Sequence, residues 1–351
     1  MATMTTIQWK TGTAYDFFIS LLVLHHAADF GLRRYWAAGV RQRLSDPQRD
    51  VLERVASYAP VPMDWISSLP EPKDALPVLH YAAELAPADR FRALTLSLDT
   101  PIEVLETLER ISKYGSYTTV EKDFLGRILS RNNKYLKAAG LDHLLKDWKN
   151  VEKSSEQLLT ALLEYYSVFF KEEETRIRPA LQTGLNQARE LADRLPLNVL
   201  VEKLSRGVHF EDVDTVKQLT LVPSYWSAPF VFHTNPAEGK TQIVFGCRPE
   251  FQSVAPGAET PDLLINALKS LADPTRLRIL RHLTGQPLTP TELSRLLRLR
   301  PPTVLHHLNT LRLAGLVAIH ISEGSEKRYA ARAEALNVIF SLVQDFLKKP
   351  D

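Results

Sequence analysis

The sequence predicts a mainly α protein in two parts, a large helical N-terminal region carrying a small β-sheet and a small C-terminal unit of short helices with a hairpin. Three observations predict it. Apolar residues repeat at helical spacing through most of residues 13–174. Two β-rich stretches, TTIQWK at 5–10 and APFVFHTNPAEGKTQIVFGC at 228–247, break that rhythm. Beyond residue 260, proline-marked helix starts crowd together.

Taken in order, 5–10 reads as a short strand, and 13–38, 101–113, 117–137 and 154–174 read as helices. Ser45 with Gln48, and Thr100-Pro101 with Glu103, place a capping residue three positions before an acceptor side chain, the spacing at which both satisfy free amides of a first turn. The 228–247 run pairs two strands across a turn containing Asn235-Pro236 and Gly239. CRPEFQSVAPGAETP, 247–261, has three prolines, a glycine and little apolar periodicity. Residues 1–250 are therefore read as one region, 251–261 as a connection and 262–351 as a separate module.

The module begins with Thr260-Pro261, Asp273-Pro274 and Thr289-Pro290 with Glu292, each a capping side chain before a proline that fits the first helical turn. Pro301 and Pro302 open the next helix, which runs to Leu313. On a wheel of about 100° per residue, Val304, Leu308 and Leu311 share the buried side; Pro302, His306 and Asn309 lie opposite, flanked by Thr303, Leu305 and Thr310. The adjacent His306 and His307 diverge, whereas helical metal sites use an i, i+4 pair. Between Arg295 and Arg312 there is no Ser, Cys, Asp or Glu to build a nucleophile or orient an imidazole. What remains is a contact surface.

LVAIHISEGSEKRYAAR follows as two short strands around Gly324. A last helix, 333–347, aligns Leu336, Ile339, Phe340, Val343 and Leu347 in one stripe that has to bury against something, here read as a second copy of the chain. Thr303, His306 and Asn309, with Leu305 beside them, are preceded by Arg295, Arg298 and Arg300 and followed by Lys327 and Arg328. Such a set suits double-stranded DNA, because polar side chains reach base edges in the major groove while cations meet phosphates on either side. Charge agrees: residues 262–351 hold 13 Lys and Arg against 8 Asp and Glu, while the rest of the chain holds 30 against 33. The unit is a helix-turn-helix with a wing.

ALKSLADPTRLRILRHL, TPTELSRLLRLRPPTVLHHLNTLRLAGLV and EGSEKRYAAR, taken together, resemble successive segments of the ArsR-type winged helix-turn-helix regulators. The likeness covers about 90 residues. It implies a prokaryotic transcription repressor that binds a two-fold related operator as a homodimer and releases it on binding an inducer. Two departures bear on function. Metal-sensing members carry ligands on the helix before the recognition helix or on the terminal helix, yet 291–297 and 333–349 contain no Cys and no His, so no metal is expected there. Where the family commonly has small hydroxyl residues, this chain has Arg300 and Leu305, so the family's base contacts do not carry over to those positions.

At 351 residues the chain exceeds one small core. Its longest apolar stretch, Phe17 to Leu24, is too short for a membrane span, no secretory signal precedes it, and Cys247 stands alone, so the cytoplasm is the expected compartment. His25, His26 and Asp29 read as structural, and Tyr165, Tyr166, Phe169, Phe170, Tyr225, Trp226, Phe230 and Phe232 as core packing rather than a ligand pocket. No catalytic residue and no cofactor is expected. Three readings of the N-terminal region stand side by side: a sensor for an unidentified small-molecule effector, a dimerisation scaffold, or an enzyme recruited to DNA by the module.

Overall fold

The structure, a computed structural model, describes residues 5–131, 133, 135–211, 213–256, 260–321 and 326–348. It is mainly helical with two small sheets. Strand β1 (Thr6–Trp9) leads into helices α1 (Thr13–His25), α2 (Arg34–Arg41), α3 (Asp46–Ala56), α4 (Met63–Ser68), α5 (Ala75–Glu84), α6 (Pro87–Thr95), α7 (Ile102–Tyr114), α8 (Thr119–Leu129), α9 (Ala138–Lys149) and α10 (Val151–Tyr165). A π turn, Tyr166–Phe170, joins α10 to α11 (Lys171–Ala192), and α12 (Leu197–Leu204) follows. Then come β2 (Val208–Phe210), β3 (Gln218–Ser224), β4 (Phe232–Ala237) and β5 (Lys240–Gly246). The C-terminal part contains α13 (Asp262–Leu271), α14 (Pro274–Leu283), α15 (Pro290–Leu297), α16 (Pro301–Leu313), β6 (Val317–Ile321), β7 (Arg328–Ala331) and α17 (Ala333–Lys348).

Several sequence expectations change. The 13–38 helix is two helices, because the chain breaks at His26 and turns through Gly31, whose φ of 69° suits glycine. Residues 154–174 belong to a longer run, 151–192, in which Pro179 lies inside α11 rather than ending it. The proposed caps at Ser45 and Thr100 do not form: the Ser45 hydroxyl donates to Glu164 at 3.0 Å, and Thr100 to the Ser97 carbonyl at 2.7 Å. A reciprocal box does form at Thr118 and Glu121.

The larger sheet has the order β1-β3-β5-β4, with β4 and β5 antiparallel as the sequence suggested and β3 inserted in parallel between β1 and β5. One face, through Val222 and Val244, packs on the main helical core. The other, through Leu219, Leu221, Ile243 and Phe245, packs on Leu200 and Val201 of α12 and Ala188 of α11. The aromatic residues are mostly core: Phe17 meets Tyr165 and Phe170 at centroid distances of 5.3 and 5.1 Å. Trp226 is fully buried and donates its indole N–H to Glu173 at 2.8 Å. Beneath it Asp16 Oδ1 accepts both the Ser224 hydroxyl and the Trp226 amide at 2.7 Å. His25 donates from Nδ1 to the Leu21 carbonyl at 2.8 Å, and burial holds its imidazole down to about 4, a neutral packed ring.

A third apolar cluster, built only from residues 267–339, is the core of the C-terminal part. It is not free of the rest. Strand β2 pairs in parallel with β6, register Val208 with Ile319, giving a sheet β2-β6-β7 that takes one strand from the N-terminal region. Arg206 and Gly207, with φ of 56° and 97°, turn the chain into β2; the second φ suits glycine, and a Cβ added at Gly207 would lie 2.7 Å from the Arg332 side chain, which would have to shift. Of the connection, 257–259 lies outside the described residues, as does the turn around Gly324.

Candidate nucleic-acid interface

Three helices and a hairpin position the interface. Asp273 caps α14 by accepting the Arg276 amide at 2.8 Å. Thr289 and Glu292 form a full capping box on α15, with bonds of 3.1 and 2.7 Å. Arg298, at φ 55°, ends α15 in the left-handed region without being glycine, and the Ser294 hydroxyl fixes the turn by donating to the Leu299 carbonyl at 2.6 Å. That turn sets α16 across α15.

Within α16 the wheel holds. Val304, Leu308 and Leu311 are fully buried, packed with Ile279, Leu293 and Leu297. Thr303, His306 and Asn309 are exposed on the opposite side, and Leu305 is 40% exposed beside them. His307 is half-buried on the shoulder of the helix, and burial lowers its pKa, which favours the neutral ring. Arg295, Arg298 and Arg300 are all exposed, on α15 and the turn.

The wing cations are less free than the sequence implied. Arg328 donates to the Pro287 carbonyl at 3.0 Å and pairs with Glu292 at 3.4 Å, so it ties β7 to the first turn of α15. The neighbouring Thr291 hydroxyl donates to Glu326 at 3.0 Å, a second tie of the same kind. Lys327 has an exposed side chain, yet partial burial and then the Arg312 guanidinium lower its ammonium, and its charge is felt by His233 of β4. It therefore faces the large region as well as solvent.

The terminal stripe also divides. Ile339 is 2% exposed and Leu336 packs partly on the same cluster, because α17 must cover the module's own core. Ile339 is thus not a surface residue. Phe340 and Leu347, 58% and 76% exposed, face outward with Val343 half-covered. Among residues the sequence did not single out, Arg312 lies with its guanidinium 4.7 Å from the Phe230 ring centroid, joining the recognition helix to the N-terminal region. Its only sequence signal was a cation on the flank of an otherwise apolar helix end.

A family model described as a helix-turn-helix domain matches residues 271–320, which is α14 to β6 without the returning strand. The transcriptional repressor SdpR of Bacillus subtilis (strain 168) is 29% identical over 86 residues, 24% of this chain and 94% of that protein. No solved structure matches the chain. Among the described residues no helix is long and apolar enough to cross a membrane, and no group of three or more His, Cys, Asp or Glu is placed to hold a metal ion. With the exposed polar face of α16 standing over a closed apolar core, the chain carries a helix-turn-helix domain of a DNA-binding regulator.

Proposed function

We propose that the chain is a prokaryotic, cytoplasmic transcriptional repressor of ArsR type. A homodimer presents two α16 helices to successive major grooves about 34 Å apart on a two-fold related operator. Residues 1–250 act as the sensing region, 251–261 as the connection and 262–351 as the DNA-binding module. The observation that carries the reading is the division of α16 into a buried Val304, Leu308 and Leu311 side and an exposed Thr303, His306 and Asn309 side, with Arg295, Arg298 and Arg300 free at one end. Likeness to a named repressor supports the direction of control.

Base readout and phosphate contact separate in one experiment on the full-length chain, using selected operator fragments and fluorescence anisotropy across a salt series. His306→Ala and Asn309→Ala are each expected to weaken the preferred site by about 1–3 kcal/mol while leaving non-specific binding unchanged. Arg300→Ala is expected to weaken all sequences and to lower the salt slope by about one. Arg328→Ala should change that slope less, because Glu292 already holds this guanidinium. Equal losses on specific and random DNA for His306→Ala and Asn309→Ala would reject α16 as the reading helix.

The dimer is assigned to the outward part of α17, where Phe340 and Leu347 leave an apolar face uncovered. Phe340→Glu is expected to shift the chain to monomer in sedimentation and to lower operator affinity at least tenfold through loss of the second half-site. Retention of the wild-type mass by Phe340→Glu removes this face from the interface.

A further inference from the structure

Between the two parts of the chain lies a cavity of about 260 Å³, open at one side. Its wall is cationic on both sides of the junction: Lys203 and Arg206 from the N-terminal region, Arg312 from the end of α16 and Arg332 from the root of α17. Among the described residues of that lining, Glu250 is the one acidic side chain. Arg206 spends one nitrogen on the Arg248 carbonyl at 2.9 Å, and Arg332 donates to the Arg206 and Gly315 carbonyls at 3.0 and 3.1 Å and to Glu334 at 2.9 Å. Among the described residues, neither Arg206 nor Arg312 forms an ion pair with a carboxylate. Burial lowers the pKa of both; for Arg206, Glu250 opposes the shift and Arg332 adds to it.

Grouped, half-buried guanidinium ions short of counter-charge are costly unless something neutralises them, and the Phe230 ring offsets only part of that cost at Arg312. The end of α16 contributes only about half a negative elementary charge from its dipole, less than the surplus of cations around it. We propose that this cleft binds a small organic anion, a carboxylate or a phosphate ester, held between Arg206 on one side and Arg312 and Arg332 on the other, with Lys203 at the rim. The planar guanidinium groups suit two-oxygen acceptors, which both classes present. A phosphate of bound DNA is disfavoured as occupant: Arg312 lies nine residues beyond Thr303, roughly 14 Å further along the helix axis and away from the end that carries Arg298 and Arg300.

The regulatory consequence rests on the repressor reading; the binding itself does not. An anion gripped from both sides links the Lys203–Val208 segment to the recognition helix, so its binding and operator binding change one another by the same factor. Isothermal titration of the full-length chain without DNA, at fixed ionic strength set with chloride, tests the site with citrate and with glucose 6-phosphate as probes. The expected result is saturable one-to-one binding of one probe, weakened at least tenfold in Arg312→Gln, restored toward wild type in Arg312→Lys, and weakened about threefold in the rim variant Lys203→Ala, which is too exposed to unfold the chain. Which probe binds identifies the class. Binding that is equal in all variants, or that fails for both probes, overturns the site whether or not the chain proves to be a repressor. Uniform loss of DNA binding in Arg312→Gln and Lys203→Ala without any probe binding would hand the cleft to the nucleic acid and overturn it as well.

Discussion

Leu308→Ala is expected to remove about 2–5 kcal/mol from the C-terminal module and to weaken specific DNA binding. Leu308 is fully buried at the centre of α16, where it meets residues from the neighbouring helices and the wing sheet. Deleting its branched end loses transfer free energy and leaves a cavity that rigid neighbours fill only in part. A domain's whole stability is about 5–15 kcal/mol, so this loss takes a large share of it, and at the lower end of that range leaves the reading helix undefined for part of the time. Leu305→Ala on the same helix, at 40% exposure, should lose under about 1 kcal/mol. Urea denaturation followed by operator binding checks the pair. Similar losses at both positions would mean that α16 is not seated as described.

Asp16→Asn is expected to alter the pH dependence of stability of the whole chain. Burial pushes the Asp16 carboxyl up to about 7, against the opposing pull of the Trp226 amide and the Ser224 hydroxyl. Among the described residues its Oδ2 is buried with no hydrogen-bond partner, so no donor there offsets a negative charge. An unfolded aspartate titrates near 4, so the folded state holds this proton more tightly. Its contribution is full below about 4 and is lost as pH rises toward 7, by on the order of a few kcal/mol. His25, held down to about 4, acts oppositely, adding stability as pH rises from about 4 toward 6.5. The difference between wild type and Asp16→Asn isolates the aspartate: denaturation at pH 5 and pH 7.5 should show wild type losing stability relative to the variant at the higher value. A relative gain there contradicts the assignment.

The module was legible because its signals are local. Asp273, Thr289 and paired prolines mark helix starts, and α16 buries one side only, so the wheel placed Val304, Leu308, Leu311, His306 and Asn309 where the structure has them. The sheet of the larger region was half legible. The β4 and β5 pair carries a turn signal between its strands. In contrast, β3 is buried on both faces and so lacks alternation, and Pro223 within it reads as a break. Three-residue β2 is too short for any periodicity, so the join between the two parts was invisible. The same blindness hid Arg206 and Arg312, which are ordinary surface residues until distant chain segments close around them. Ile339 failed for a related reason: a one-sided stripe on a terminal helix says that something covers it, not whether that something is its own core.

The parallel pairing of β2 with β6 has a consequence for synthesis. Residues 208–210 leave the ribosome about a hundred residues before 317–321, so for several seconds a bare backbone edge waits on the nascent chain. Keeping that edge to three residues limits what else can zip onto it. The newborn DNA-binding unit then completes its own hairpin against a template already in place, and a copy made without that template would emerge with an open flank.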